Sequence, residues 1–534
     1  MTKRLLILCL ALMMIFAGCS SKTPAPAAPA PAAEAPAAEP APAAAAAEPA
    51  KNETLTVVIT ADPGGLDPSH SSGSAMGQVI RQMYDTLFIY DENYTITPWL
   101  AESYEYEDDV TLVLHLRHGV KFANNDELHA SDVLFTIKTA QAGTGASDSF
   151  RKINVEKSVV VDDYTIKLVT DEPVATLIAG LQLPDTGIFS EKAYTEANGD
   201  FLQLAKTGSS GPWKLDVYTP GDKITMTANE NYWREGEPYF KTLVMRFVTD
   251  ASSRAIEAET AGADIVCNIA SKDIASVKEA KGMVFVSEKG AQTVYLIINT
   301  QKAPMDNDLV RQAVWYAVDV DSGVRVAYGD FGSRAVDWVC PGIKGADPDR
   351  AAKYFPTRDI EKAKALLAEA GYPDGIEIEL SVFSSNQERR DLGEIFQAQM
   401  AEAGIKVKLN VMELNAWSDY VYAGNSHMVF YACTGMCFEA DKCLTQLIPS
   451  SSYFKVSGFA PEAYTAAVDK SLTALDETER CALYSEAINM LLENHVTLPC
   501  WHNEPNASVR EGLTGFRINR SYEHHLLQFV RPAA

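Results

Sequence analysis

Positive charge is scarce in this sequence: Lys and Arg number 46 against 71 Asp and Glu, a formal net charge of −25. Phosphate-backbone binding through counterion release therefore has no electrostatic basis, and nucleic acid is excluded as a partner. Long apolar runs are absent beyond the N-terminus, so nothing in the body reads as a membrane span. Also missing are G-x-S-x-G, H-E-x-x-H, P-loop and G-x-G-x-x-G patterns, which leaves the usual hydrolase, zincin, nucleotide and dinucleotide chemistries without a foothold. Asp319-Val320-Asp321-Ser322-Gly323 opens like a calcium loop, but its Gly comes one position early and no Glu closes it, so it reads as a helix end. What remains is ordinary globular composition, 47% hydrophobic and 22% charged over 534 residues, enough for roughly two to four domains.

The N-terminus places the protein. Lys3 and Arg4 precede an apolar run from Leu5 to Gly18, too short to span a bilayer and the right size for the core of an export signal. The run closes on Phe16-Ala17-Gly18-Cys19, an arrangement that resembles the lipobox of bacterial lipoproteins. By that resemblance residues 1–18 are a signal peptide, Cys19 is the first mature residue, and its sulfur carries a diacylglycerol. Two acyl chains hold a protein on a membrane where one does not. Residues 23–50 contain 16 Ala, 8 Pro and 3 Glu, which cannot bury a core and favours extended conformers. We read 19–52 as a tether, with folded structure starting near Thr54.

Periodicity sketches the body. Thr54–Ile59 reads as a strand stopped by the turn Gly64-Gly65-Leu66-Asp67-Pro68, with a helix from Gly73 to Phe88. Val110 to Arg117 alternates and turns at Gly119 into Lys121-Phe122, a hairpin, and Ala130-Ser131-Asp132 offers caps for a helix at 133–140. Asp359 caps a helix that Gly371 ends. Ile376, Ile378 and Leu380 then alternate with charge, a helix runs from about Glu388 to Ala403, and Ile405 to Val411 alternates again. That is a β-α-β unit, which puts a ligand at the carboxyl ends of parallel strands, beside Ser384-Ser385-Asn386-Gln387.

Outside Cys9 and Cys19 the body holds seven cysteines, an odd number that leaves at least one thiol unpaired within the chain. The cluster Cys433, Cys437, Cys443 admits three readings: a soft-metal site with His427, one local disulfide, or reduced, packed thiols. Its spacing fits no standard zinc site. His524-His525 sit on opposite faces if extended, which argues against a joint metal site.

Several segments together resemble the family 5 extracellular solute-binding proteins of ABC transporters, the group of dipeptide, oligopeptide and nickel binders. They are Leu100-Ala101-Glu102-Ser103-Tyr104, Leu114 to Phe122, Ala130-Ser131-Asp132-Val133, Gly211-Pro212-Trp213 and Asn229 to Trp233. Ala261 to Ile265, Val310-Arg311-Gln312-Ala313 with Tyr316 to Asp319, and Ala363 to Leu367 with Glu369 to Tyr372 continue the pattern in order. The likeness runs from about residue 55 to the C-terminus. It implies an α/β fold of the periplasmic-binding-protein type II class, two lobes joined by a hinge, with a β-rich subdomain on lobe one. Lobe one is expected at 53–296 plus 500–534 and lobe two at 297–499. The implied protein is no enzyme and has no cofactor. It is a lipid-anchored monomer outside the cytoplasm that closes on a peptide or peptide-like ligand and hands it to an ABC permease.

Candidate ligand contacts come from strand ends: His70, Ser71 and Ser72 in one lobe, Ser384, Ser385 and Asn386 in the other. The resemblance implies that Arg389 or Arg390 meets a ligand carboxylate; the plain alternative is two solvated arginines on a helix start. Trp417, Tyr431, Trp501 and His502 are candidate pocket walls, although core packing explains such aromatics equally well. Family peptide binders carry a Trp-x-x-Asp segment whose Asp holds the peptide amine. Here Cys433-Thr434-Gly435-Met436 takes that place, so Thr434, Gly435 and Met436 enter the candidate site while both diagnostic residues are missing. Glu439 and Asp441 are the nearest substitutes. A metal-chelate cargo, nickel or haem, and an envelope thiol enzyme built on the cysteine cluster are the competing readings.

Overall fold

Strand Thr54–Ile59 runs parallel to both its neighbours, Thr242–Phe247 and Ile265–Cys267. A strand covered on both faces loses polar alternation, and Val57, Val58 and Ile59 are all buried. In this computed structural model, which describes residues 53–69, 74–143, 147–329, 332–384, 386–435, 437–520 and 526–533, that strand anchors a seven-stranded sheet. Lys223–Ala228 and Trp213–Thr219 extend it on one side, Asn506–Arg510 and Met283–Ser287 on the other. Residues 1–52, where an export signal, the lipidated Cys19 and a tether are expected, and His524-His525 lie outside the described residues, as do His70, Ser71, Ser72, Ser385 and Met436.

A second sheet of six strands is ordered Ser333–Arg334, Thr497–His502, Gln292–Ile298, Met428–Thr434, Ile376–Phe383, Ile405–Met412. Its β-α-β unit follows the sequence reading closely. The Asp359 side chain accepts the Lys362 amide at 2.9 Å to start the helix Ile360–Glu369, and Gly371 ends it at φ +93°, where a Cβ would be strained. Ile376–Phe383 and Ile405–Met412 pair in parallel around the helix Gln387–Glu402. The chain passes between the two sheets twice, after Ser287 and after His502.

Three local expectations change. The helix expected at 73–88 is Ser74–Met83, and Phe88–Tyr90 is instead a short strand paired with Ile96–Pro98. The hairpin partner of Thr111–Leu116 is the preceding strand Ala101–Asp108, not the residues after Gly119. With Thr165–Val169 and Val159–Asp162 these form a separate four-stranded sheet. Asp319 begins a helix rather than ending one: its side chain accepts the Ser322 amide at 3.0 Å ahead of Val320–Tyr328.

Candidate ligand-binding cleft

Both sheets present strand ends to the same region. In the six-stranded sheet Ile376–Phe383, Met428–Thr434 and Thr497–His502 finish at one edge, where Gln292 begins its strand. In the seven-stranded sheet the parallel strands finish at Ile59, Phe247 and Cys267. Arg254, on the helix that follows Phe247, donates to the carbonyls of Val248, Thr249 and Asn268 at the end of that sheet, and the charge of Glu388, at the head of Gln387–Glu402, acts on it.

Asn386 builds one wall. Its Oδ1 accepts the Arg389 amide at 2.8 Å and so fixes the first turn of the helix that carries both arginines. The two then diverge. Arg390 hydrogen-bonds Gln387 on its own helix, the solvated alternative. Arg389 lies over Phe383, its guanidinium carbon 5.0 Å from the ring centroid, and its Nε is sealed from solvent with no hydrogen-bond partner. Burial lowers the Arg389 pKa, opposed by Tyr328, Glu388, Tyr431 and Tyr422 around it. Trp417, on the helix Leu414–Tyr422, meets the same Phe383 edge-on at 5.3 Å and Tyr422 at 6.0 Å. Its Nε1 is likewise sealed and without a partner. Tyr431 completes the wall beside Tyr422 and, at 6.5 Å, Tyr453.

Other candidates are structural. Trp501 is 1% exposed, packs at 4.8 Å on Tyr328 and donates to Asn503 Oδ1 at 2.6 Å. His502 accepts the Val336 amide on Nε2, which places the proton on Nδ1, 3.0 Å from Thr293 Oγ1. Burial pushes its pKa down to about 4, so it stays neutral. Thr434 Oγ1 accepts from Gln292 at 2.9 Å, and the Gly435 amide donates to Ala291. Ser384 is exposed at the rim. His427 precedes the strand Met428–Thr434, at the far end from Cys433, and its Nδ1 takes the Glu379 amide. It therefore joins no site with the cysteine cluster.

The two substitute carboxylates part company as well. Glu439 is fully engaged: Arg480 donates to both its oxygens at 2.7 and 3.0 Å, Tyr484 at 2.8 Å, and Lys344 lies at 3.1 Å. Asp441 accepts the Thr176 hydroxyl at 3.2 Å on Oδ2, while its Oδ1 is sealed with no hydrogen-bond partner among the described residues. Burial, helped by the charge of Glu439, pushes its pKa up to about 6. Phe383, Tyr328, Tyr422 and Tyr453 were not foreseen; the one available signal was an aromatic at the last position of a strand.

Residues 95–453 match the family described as bacterial extracellular solute-binding proteins, family 5 Middle. The chain belongs to that family. It is a solute-binding protein of an ABC importer, acting outside the cytoplasm, and not an enzyme. Among its relatives, the glutathione-binding protein GsiB of Salmonella choleraesuis is 26% identical over 464 residues, 85% of this chain and 90% of that one. The dipeptide-binding protein of Escherichia coli is 28% identical over 509 residues, 89% and 94% of the two chains. The solved structure of AgaA of A. tumefacien R10, in complex with agropinic acid, superposes with a TM-score of 0.76 at 25% identity, over 90% of this chain and 99% of that one. The fold is accordingly that of the type II periplasmic binding proteins, two lobes joined by a hinge. No described helix of this family member is long and apolar enough to cross a membrane.

Proposed function

We propose that the protein captures a small carboxylic acid, a peptide or peptide-like compound, with Arg389 and Trp417 as the anion contacts. One observation carries this reading: two buried N–H donors, on different helices and both against Phe383, lack an acceptor. Burying a donor without a partner costs about 1–3 kcal/mol, more for a charged one, so a site that keeps two of them is built for an acceptor that arrives with the cargo. Asp441 adds the complementary charge, since an ammonium on the same cargo would relieve its unpartnered oxygen. Names among the relatives, glutathione- and dipeptide-binding, fit such a cargo.

The lobes divide at 288–291 and 503–505, between the sheets, and cargo touching both edges favours the closed form by its difference in affinity for the two states. Cys19 holds the monomer to the membrane through its lipid, and the Ala/Pro tether gives it reach to the permease. His70, Ser71 and Ser72 stay candidates from the lobe opposite Arg389, and Ser385 and Met436 candidates from its own lobe, all five outside the described residues. Native mass spectrometry of the gently purified protein tests the reading: the retained mass is expected to be a small carboxylic acid, and a metal chelate without a carboxylate refutes it. In calorimetry with that acid, Trp417→Phe is expected to weaken binding by about tenfold, the net value of one hydrogen bond.

A further inference from the structure

The segment 437–442, just past the strand Met428–Thr434, meets parts of the chain that lie outside its own sheet. Tyr90 donates to the Cys437 carbonyl at 3.0 Å, the Phe438 ring packs on Tyr90 and Tyr94, the Thr176 hydroxyl donates to Asp441 at 3.2 Å, and Lys442 pairs with Asp148. Phe438 is the centre of this seam. Its ring stands edge-on to Tyr90 at 4.9 Å and tilted against Tyr94 at 4.7 Å, and the Arg520 guanidinium carbon lies 5.8 Å from it and 5.4 Å from Tyr94. Only 7% of Phe438 is exposed.

Both facing rings hang from strained backbone. Phe438 sits at φ 56° and Tyr94 at φ 60°, the left-handed region that a bulky residue keeps only when its surroundings impose it. Each is imposed from its own side of the seam. The Phe438 amide donates to Gly435 at 3.0 Å and its carbonyl accepts from Lys344 at 2.8 Å, next to the Glu439–Arg480 pair. The Tyr94 amide donates to Asp91 at 3.1 Å in the turn that joins Phe88–Tyr90 to Ile96–Pro98. Arg520 then ties the seam to one of the two passages between the sheets: its Nε donates to the Lys289 carbonyl and its Nη2 to the Pro341 carbonyl, both at 2.6 Å, and its own carbonyl accepts the Ala291 amide at 2.9 Å.

We propose, on the division of the lobes at 288–291 and 503–505, that Phe438 and its socket of Tyr90, Tyr94 and Arg520 form a latch that seats as the lobes close and fixes the segment carrying Asp441. These are positioning residues, acting on cargo through Asp441 and through closure. Aromatic contacts of this kind are modest, and the half-exposed Lys442–Asp148 pair is weak, so the latch biases the closed form without locking it. Apparent affinity falls with the fraction of closed molecules, so loosening the latch weakens binding while every cargo contact is kept.

The test places 4-fluorophenylalanine at 438 in the full chain, stripped of cargo by partial unfolding and refolding, and reads its fluorine resonance beside the radius of gyration from small-angle scattering. Expected are two exchanging positions, one shifted by the rings of Tyr90 and Tyr94 and one solvent-like. Tyr94→Ala is expected to abolish the shifted position and enlarge the radius. Phe438→Ala, made from the other side of the seam without the label, is expected to enlarge the radius as much, and the double variant no more than either alone. A single resonance, with a radius indifferent to both substitutions, overturns the latch and makes the seam fixed packing, even where cargo still contracts the wild-type protein. Equal radii for wild-type protein with its retained compound and stripped of it would contradict closure itself, and the latch with it.

Discussion

Replacing Arg389 with methionine is expected to weaken binding of the retained carboxylate by about a hundredfold or more, in line with roughly 2–5 kcal/mol for truncating one partner of a buried charged pair. The side chain invites this size of effect because the protein itself offers its Nε nothing to bond. Methionine keeps the apolar stem against Phe383 and removes the charge, so packing is largely preserved. Arg390→Met is the internal control. That side chain is satisfied by Gln387 on its own helix, and its loss is expected to change affinity less than threefold, or about 0.6 kcal/mol. Isothermal calorimetry on both variants checks the pair, and equal losses would return the anion site to the ambiguity left by two adjacent arginines.

The second large effect concerns stability. Glu439→Gln is expected to destabilise the folded state by about 3–5 kcal/mol, measured as a loss of unfolding free energy in denaturant, because it strands Arg480 in the interior. Both side chains are nearly closed to solvent, at 4% and 5% exposure, so screening offers little relief. Arg480→Met added to Glu439→Gln is expected to recover much of that loss, since the desolvated charge disappears with its partner. The pH dependence has a definite sign. Burial acts to raise the Glu439 pKa, but hydrogen bonds and charge from Arg480, with Lys344 and Tyr484, outweigh it and hold it below the usual value. The contribution is therefore present above the ordinary glutamate range and is lost as pH falls through the depressed folded value, and the variant should lack that part of the acid limb.

Much of the fold could be read from the chain because its signals are local. The 359–412 unit announces itself through an Asp cap, a terminal Gly and strict alternation, each acting within one turn or strand. The helix after Gly73 was drawn too long because apolar spacing alone does not distinguish a helix from the short strand Phe88–Tyr90, which exists only through its pairing with Ile96–Pro98. The site was harder. Adjacent Arg389 and Arg390 are equivalent in the sequence; only the helix that Asn386 starts turns one toward Phe383 and the other toward Gln387. Glu439 and Asp441 were interchangeable for the same reason. Arg480 and Lys344, far apart in the chain, separate them. Trp501 and His502 stand where the chain is expected to re-enter lobe one; they end the strand Thr497–His502 and are interior because tertiary packing against Tyr328 and Thr293 covers them.

Closure on cargo is the claim on which the rest depends. Small-angle X-ray scattering of the protein freed of its cargo by partial unfolding and refolding, then titrated with the acid identified by mass spectrometry, reads that motion directly. The radius of gyration is expected to fall to a saturating lower value, with the same midpoint as the calorimetric isotherm. Saturable binding with an unchanged scattering profile would contradict the account.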